Sequence, residues 1–160
     1  KVLMDGEEFP TDGEGDDTKK TYDTKTNTKG ETLFLGGEDV GKSEYRVANL
    51  TSVIVGDKPI AKGDKWSHTF KPNDKRSDVE LELKYEAVDV EKVGEIEAIK
   101  VSLAGKESTG NKPAEVEGHV WISTADGSMV KQDLKVLNFP MGDDEEEIID
   151  EATLKAERKD

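Results

Sequence analysis

The sequence predicts a mainly β domain, a curved antiparallel meander sheet or half-open barrel with little helix. Three observations predict it. The stretch "DVELELKYEA" (78–87) alternates strictly, with Val79, Leu81, Leu83, Tyr85 and Ala87 on one face and Glu80, Glu82, Lys84 and Glu86 on the other. That is the period of a half-buried strand. The stretch "GHVWISTADGSMVKQDLKV" (118–136) alternates, breaks at Asp126-Gly127 and alternates back, as a β-hairpin does. Before residue 143 no segment carries a convincing helical period.

The chain divides into an acidic N-terminal segment (1–43), a β core (44–141) and an acidic tail (142–160). In the first, Val2 to Met4 read as a short strand, and the Gly-, Asp- and Glu-rich residues that follow read as a solvated loop. The stretch "TYDTKTNTKGETLFL" (21–35) reads as a hairpin turning at Gly30.

The core opens with "EYRVANLTSVIV" (44–55), whose Val, Thr and Ile residues predict a strand. Next, "GDKPIAKGDKW" (56–66) breaks the chain at Gly56-Asp57 and again at Gly63-Asp64, and Pro59 fixes an extended connector. "WSHTF" (66–70) places Trp66, His68 and Phe70 on one face of a strand.

After the strand at 78–87, Val88 and Val90 change phase, which implies a bulge or a strand end. A turn near Val93-Gly94 leads into a strand on which Ile96 and Ala98 are followed, out of phase, by Ile99, Val101 and Leu103. A second bulge near Ala98 is expected there.

In the hairpin at 118–136, Val120, Ile122 and Thr124 face one way, and His119, Trp121 and Ser123 the other. Both faces carry apolar groups, as in a sheet with a core on one side and partial cover on the other. Asp126-Gly127 is expected to supply the positive φ angles of a tight turn. The tail has helical propensity, yet Ala152, Leu154 and Ala156 also alternate as a strand. The total is about six to eight strands with short links.

Composition narrows the function classes. The 160 residues carry a formal net charge of -14, with 38% charged residues, 32% hydrophobic residues and no cysteine. The acid excess argues against nucleic acid and against an anionic membrane surface, both of which need clustered Lys and Arg. Basic partners and cations fit it. Without cysteine there are no disulfides and no thiolate metal sites, which suits an oxidising compartment. No run has the length of a transmembrane helix. A chain beginning at Lys1 suggests a processed product or a fragment.

Two stretches carry a resemblance. "VIVGDKPIAKGDKWSHTF" has Lys58, Pro59, Ile60, Gly63, Asp64 and Trp66 in the order found in a group of secreted, largely uncharacterised bacterial proteins. Gly56-Asp57 stands where that pattern has an earlier proline. The second stretch resembles that group's tandem hairpins through Tyr85, Val90 to Gly94, Ala98, Gly118, Trp121-Ile122 and Asp126-Gly127. The group is similar in pattern to the lipoprotein-carrier superfamily, half-open antiparallel barrels that hold acyl chains in an apolar concavity. The resemblance implies a secreted or cell-envelope location. It also implies a last strand at 148–158, which is adopted here over the helix.

Four candidate sites follow. An apolar ligand in the concavity would meet Trp66, Phe70, Leu81, Leu83, Tyr85, Trp121 and Ile122; the same residues serve equally as the core of a small domain. Asp12, Glu14 and Asp16 alternate like the first half of an EF-hand loop and make Ca²⁺ the one candidate cofactor. Asp17 stands where such a loop needs Gly, so a solvated acidic loop competes with that reading. The run 143–147 would also attract Ca²⁺ loosely, and its uncompensated like charge reads equally as a solvated, flexible segment.

His68 and His119 each lie two residues from a Trp and would share a Zn²⁺ or Cu²⁺ if their strands were neighbours. Asn49 to Thr51 spells a glycosylation sequon. The chain lacks a nucleophile elbow, a P-loop and a His-Glu-x-x-His motif. The expectation is a non-catalytic secreted or envelope domain that binds an apolar ligand or a protein partner. The alternative is a structural subunit of a surface assembly, a homo- or hetero-oligomer joined through an open sheet edge.

Overall fold

The computed structural model describes residues 2–4, 7–9, 23–37, 40–73, 76–110, 112–141 and 148–158. The fold is mainly β and antiparallel, and its sheet is not closed into a barrel. Six strands form a meander in chain order: β5 (Lys65–Phe70), β6 (Leu81–Val93), β7 (Ile96–Glu107), β8 (Glu115–Ser123), β9 (Met129–Pro140) and β10 (Ile148–Glu157). Beyond β10, the short strands β1 (Val2–Met4) and β2 (Glu7–Phe9) extend the sheet, with Leu3 paired to Thr153. A separate hairpin, β3 (Asp23–Thr26) and β4 (Thr32–Gly36), matches the one expected at 21–35.

The segment 44–55 is not a strand. Lys42–Leu50 form helix α1. Its entry is a Gly41 amide donating to the Glu44 carboxylate at 2.8 Å, one arm of a capping box. Its exit is closed by the Thr51 and Ser52 hydroxyls, which donate to the carbonyls of Val47 and Ala48. The buried residues Ser43, Arg46 and Leu50 have helical spacing. Arg46 hides that spacing from a purely apolar reading.

Register assigns each strand two faces. On the inner face, Leu83, Tyr85, Val101, Leu103, Val120, Leu134 and Val136 form the main core with Leu50 and Ile54 from α1 and its C-terminal extension. On the outer face, a small second cluster of Trp121, Ala98 and Val130 is packed by Val93 and Ile96. Two cores explain the phase change on β7. Its pairing with β8 runs from Ala98 to Lys106 without a shift, so the expected bulge near Ala98 is absent. The bulge lies on β6, between Ala87 and Asp89, where Val88 and Val90 changed phase. A further shift, between Trp121 and Ile122, makes Val130 the extra residue of β9 and lets it join Trp121 on the outer face.

The tail is a strand. Ala152 is fully buried opposite Val136, and Leu154 lies opposite Leu134. The turn after β8 also differs from expectation. The Ser123 amide donates to the Ser128 carbonyl, so the loop spans 124–127, and of Asp126 and Gly127 only Gly127 has positive φ. Asp126 contributes through its side chain instead, accepting from the Ser128 amide at 3.0 Å. By contrast, the β6–β7 link is a two-residue turn with Gly94 at φ 59, the position that favours Gly in a II′ hairpin.

Candidate functional site at the open end of the sheet

Six of the seven aromatic and aliphatic residues expected around a ligand, Trp66, Phe70, Leu81, Leu83, Tyr85 and Ile122, lie on the inner face. α1 and residues 51–55 cover them. The Trp66 indole stacks on Tyr85 with centroids 5.2 Å apart, and its Nε1 donates to the Ile54 carbonyl at 2.7 Å. The Tyr85 hydroxyl donates to the Ser52 carbonyl at 3.0 Å and accepts from the Ile54 amide at 3.4 Å. Burial pushes the Tyr85 phenol well above its ordinary pKa. Trp121, the seventh, belongs to the outer cluster. The sequence-derived set is therefore split between two faces.

Three hollows of about 340 to 450 Å³ open on the outer face, where Glu82, Lys84, Ala104, Lys106, Glu117 and Lys135 line them. This face is laced by ion pairs between strands, among them Lys65–Glu86 at 3.1 Å, Lys135–Glu151 at 2.9 Å and Lys155–Asp133 at 3.4 Å. Such exposed pairs keep a sheet face soluble and add little stability each. Neither charge nor shape there suits an acyl chain.

The expected histidine pair does not form. His68 is on the inner face of β5 beside Phe70, whereas His119 is on the outer face of β8 beside Trp121, and two strands separate them. Burial lowers the His119 pKa, with Lys100 adding to the effect. Asp12, Glu14, Asp16 and the run 143–147 lie outside the described residues. Among the described residues, no three His, Asp or Glu side chains converge as a metal site, and no helix is long and apolar enough to cross a membrane.

Three exposed large apolar side chains, Val88, Val90 and Met129, lie at the β6–β7 turn end of the sheet; Leu33 and Phe34 on β4, and Leu137 and Met141, are exposed elsewhere. Val90 pairs with Ile99, Ile99 with Ile122, and Ile122 with Met129. Directly paired residues share a face, so these four make a row across β6, β7, β8 and β9. Its middle members, Ile99 and Ile122, rest against the main core. Its ends are open, with Val90 44% and Met129 46% exposed, and Val88 on the bulge is 39% exposed.

The row ends at an unfilled edge. β5 accompanies β6 only from Leu81 to Glu86, and Gly63 and Asp64 extend the backbone bonding to Ala87. Among the described residues, no strand pairs with the same side of residues 88–93. Asp89 guards this edge. Its carboxylate accepts from the Lys62 ammonium and from the Val90 amide, each at 2.9 Å. The Lys62 bond, chiefly, holds the Asp89 carboxyl below the usual carboxylate range. On the outer side, Glu91 accepts from the Trp121 indole, and Lys100 and Lys131 sit over that ring at 5.1 Å.

The phase change at Val88 and Val90 was the sequence signal for this site. It identified a bulge, but Ile99 and Met129 join the site only through register. No protein-family model, curated protein or solved structure matches this chain.

Proposed function

We propose that this chain is a non-catalytic, secreted or cell-envelope interaction domain that binds a protein partner through the open end of its sheet. One observation carries the reading: the inner face is filled by the chain's own Leu50 and Ile54, while the row Val90–Ile99–Ile122–Met129 stays partly exposed beside an edge that no strand pairs among the described residues. A lipid carrier keeps free apolar volume for its cargo; a domain that docks a protein needs an apolar patch and accessible backbone groups. The second geometry is the one these residues match. The secreted or envelope location rests on the resemblance of residues 50–137 to a group of secreted bacterial proteins, itself similar in pattern to the lipoprotein-carrier superfamily, and on the absence of cysteine.

Native mass spectrometry of the protein, purified from its source without detergent, tests this reading. The expected result is a stoichiometric complex with a second protein and no lipid adduct. A non-covalent lipid adduct that is lost on denaturation would establish a carrier instead. A homo-oligomer would establish the structural-subunit alternative.

A further inference from the structure

Resting on that reading, we infer that residues 88–93 of β6 accept a β-strand from the partner, and that this strand alternates apolar with basic side chains. The backbone supplies the first half of the argument. Past the bulge, alternation of the ladder aims the amide and carbonyl groups of Val90 and Lys92 away from β7. They point into the lane that β5 leaves at Glu86. A strand entering that lane prolongs β5 along β6.

Side chains supply the second half. On the inner face, the incoming residue opposite Val90 meets the end of the apolar row through Ile99 and Ile122 to Met129. Burying that row removes apolar surface from water on both partners. On the outer face, the incoming residues pass Asp89 and Glu91. Asp89 already takes a lysine, Lys62, from within the chain. Glu91 uses Oε1 for the Trp121 indole, and among the described residues no group donates to its Oε2. Both carboxylates therefore favour basic neighbours. On binding, the Asp89 carboxylate leaves the Val90 amide to the new strand and keeps its charge for a partner Lys or Arg. The overall charge of -14 attracts such a segment at long range.

The same geometry disfavours a second copy of this chain. Antiparallel pairing of two β6 edges about Val90 sets Asp89 of each copy opposite Glu91 of the other, and like charges directly opposed are destabilising.

The test uses an end-blocked peptide alternating lysine and valine, with a scrambled peptide of identical composition as the charge control. Binding is measured at physiological ionic strength, and amide hydrogen exchange locates it. The alternating peptide should bind at least about tenfold more tightly than the scrambled one. It should slow exchange at the Val90 and Lys92 amides. Val90→Glu should weaken it about tenfold while leaving Tm unchanged, because Val90 is 44% exposed.

Equal binding of both peptides, protection elsewhere on the sheet, or full affinity in Val90→Glu overturns the proposal. Self-association that Val90→Glu abolishes, without peptide binding, assigns the edge to a second copy and overturns it too. A protein complex in the native spectrum, together with a silent peptide experiment, removes this edge and leaves the interaction-domain reading intact.

Discussion

Arg46 of α1 and Glu107 of β7 form a buried, two-pronged ion pair. Nε donates to Oε1 at 2.9 Å and Nη2 to Oε2 at 2.6 Å, with both residues under 5% exposed. The Ala114 amide also donates to Oε2, at 2.7 Å. The pair fixes the helix to the inner face of the sheet and ties in the start of β8. Desolvating two charges is costly, so such a pair specifies one arrangement more than it stabilises.

Breaking one half of this pair has a large expected effect. Arg46→Met leaves a buried carboxylate facing apolar groups and should destabilise the fold by about 3–5 kcal/mol. Glu107→Gln keeps an acceptor for Ala114 and should cost less. Urea denaturation of both variants checks the order. An Arg46→Met loss below about 1 kcal/mol would show that water reaches the site.

The same pair explains what the sequence concealed. β6, β8 and β9 were legible because alternation is local. The tail was not, since Ala152, Leu154 and Ala156 fit a helix or a strand; the resemblance favoured the strand, and in the structure Ala152 pairs with Val136 and Leu154 with Leu134. α1 was not legible. Its buried stripe contains Arg46, and a charged residue reads as exposed until its partner, 61 positions away, is placed beside it. Val47, Thr51, Val53 and Ile54 are good strand formers, so local preference pointed the wrong way. The candidate site failed for a related reason. Val90, Ile99, Ile122 and Met129 become one surface only when three strand registers are known.

Gly118 separates backbone strain from steric conflict. At φ 146 it adopts a conformation that L side chains rarely take, and a Cβ there would run into the Asp133 carbonyl on β9. Gly63, at φ 93, has open space around the same position. Gly63→Ala should cost about 1 kcal/mol from conformation alone. Gly118→Ala should cost more than about 2 kcal/mol, because β8 and β9 must also separate. Equal losses would mean that the β8–β9 ladder yields easily.

Asp126 predicts an acid-dependent turn. Hydrogen bonds from the Ser128 hydroxyl and amide lower its pKa to about 2. A depressed carboxylate pKa stabilises the fold above the unfolded value, about 3.9, and that contribution disappears as the pH falls toward 2. Titration of the Asp126 carboxyl by NMR should show the low midpoint, and Ser128→Ala should raise it. Asp126→Asn should flatten the dependence of stability on pH in this window. A midpoint near 4, the ordinary carboxylate value, in the native protein would mean that the Ser128 bonds are not kept in solution.

Tyr85 predicts the alkaline limb. Its hydroxyl bridges Ser52 and Ile54 beneath the stacked Trp66 ring, and burial raises its pKa far above the usual phenol value. The folded chain therefore holds a proton that the unfolded chain releases above about pH 10. Stability contributed by the neutral phenol is complete below that point and declines as the pH rises past it. The phenolate absorbance that Tyr85 contributes, taken as the difference between the native protein and Tyr85→Phe, should appear only as the chain unfolds. Tyr85→Phe also strands the Ile54 amide and the Ser52 carbonyl, a loss of about 1–3 kcal/mol at neutral pH. Because these contacts close the inner face over Trp66, the variant gives α1 and its extension their best opportunity to lift. If an apolar dye enters Tyr85→Phe but not the native protein, the inner face is a closed core. If the dye enters both equally, that face is open and the carrier reading regains its footing.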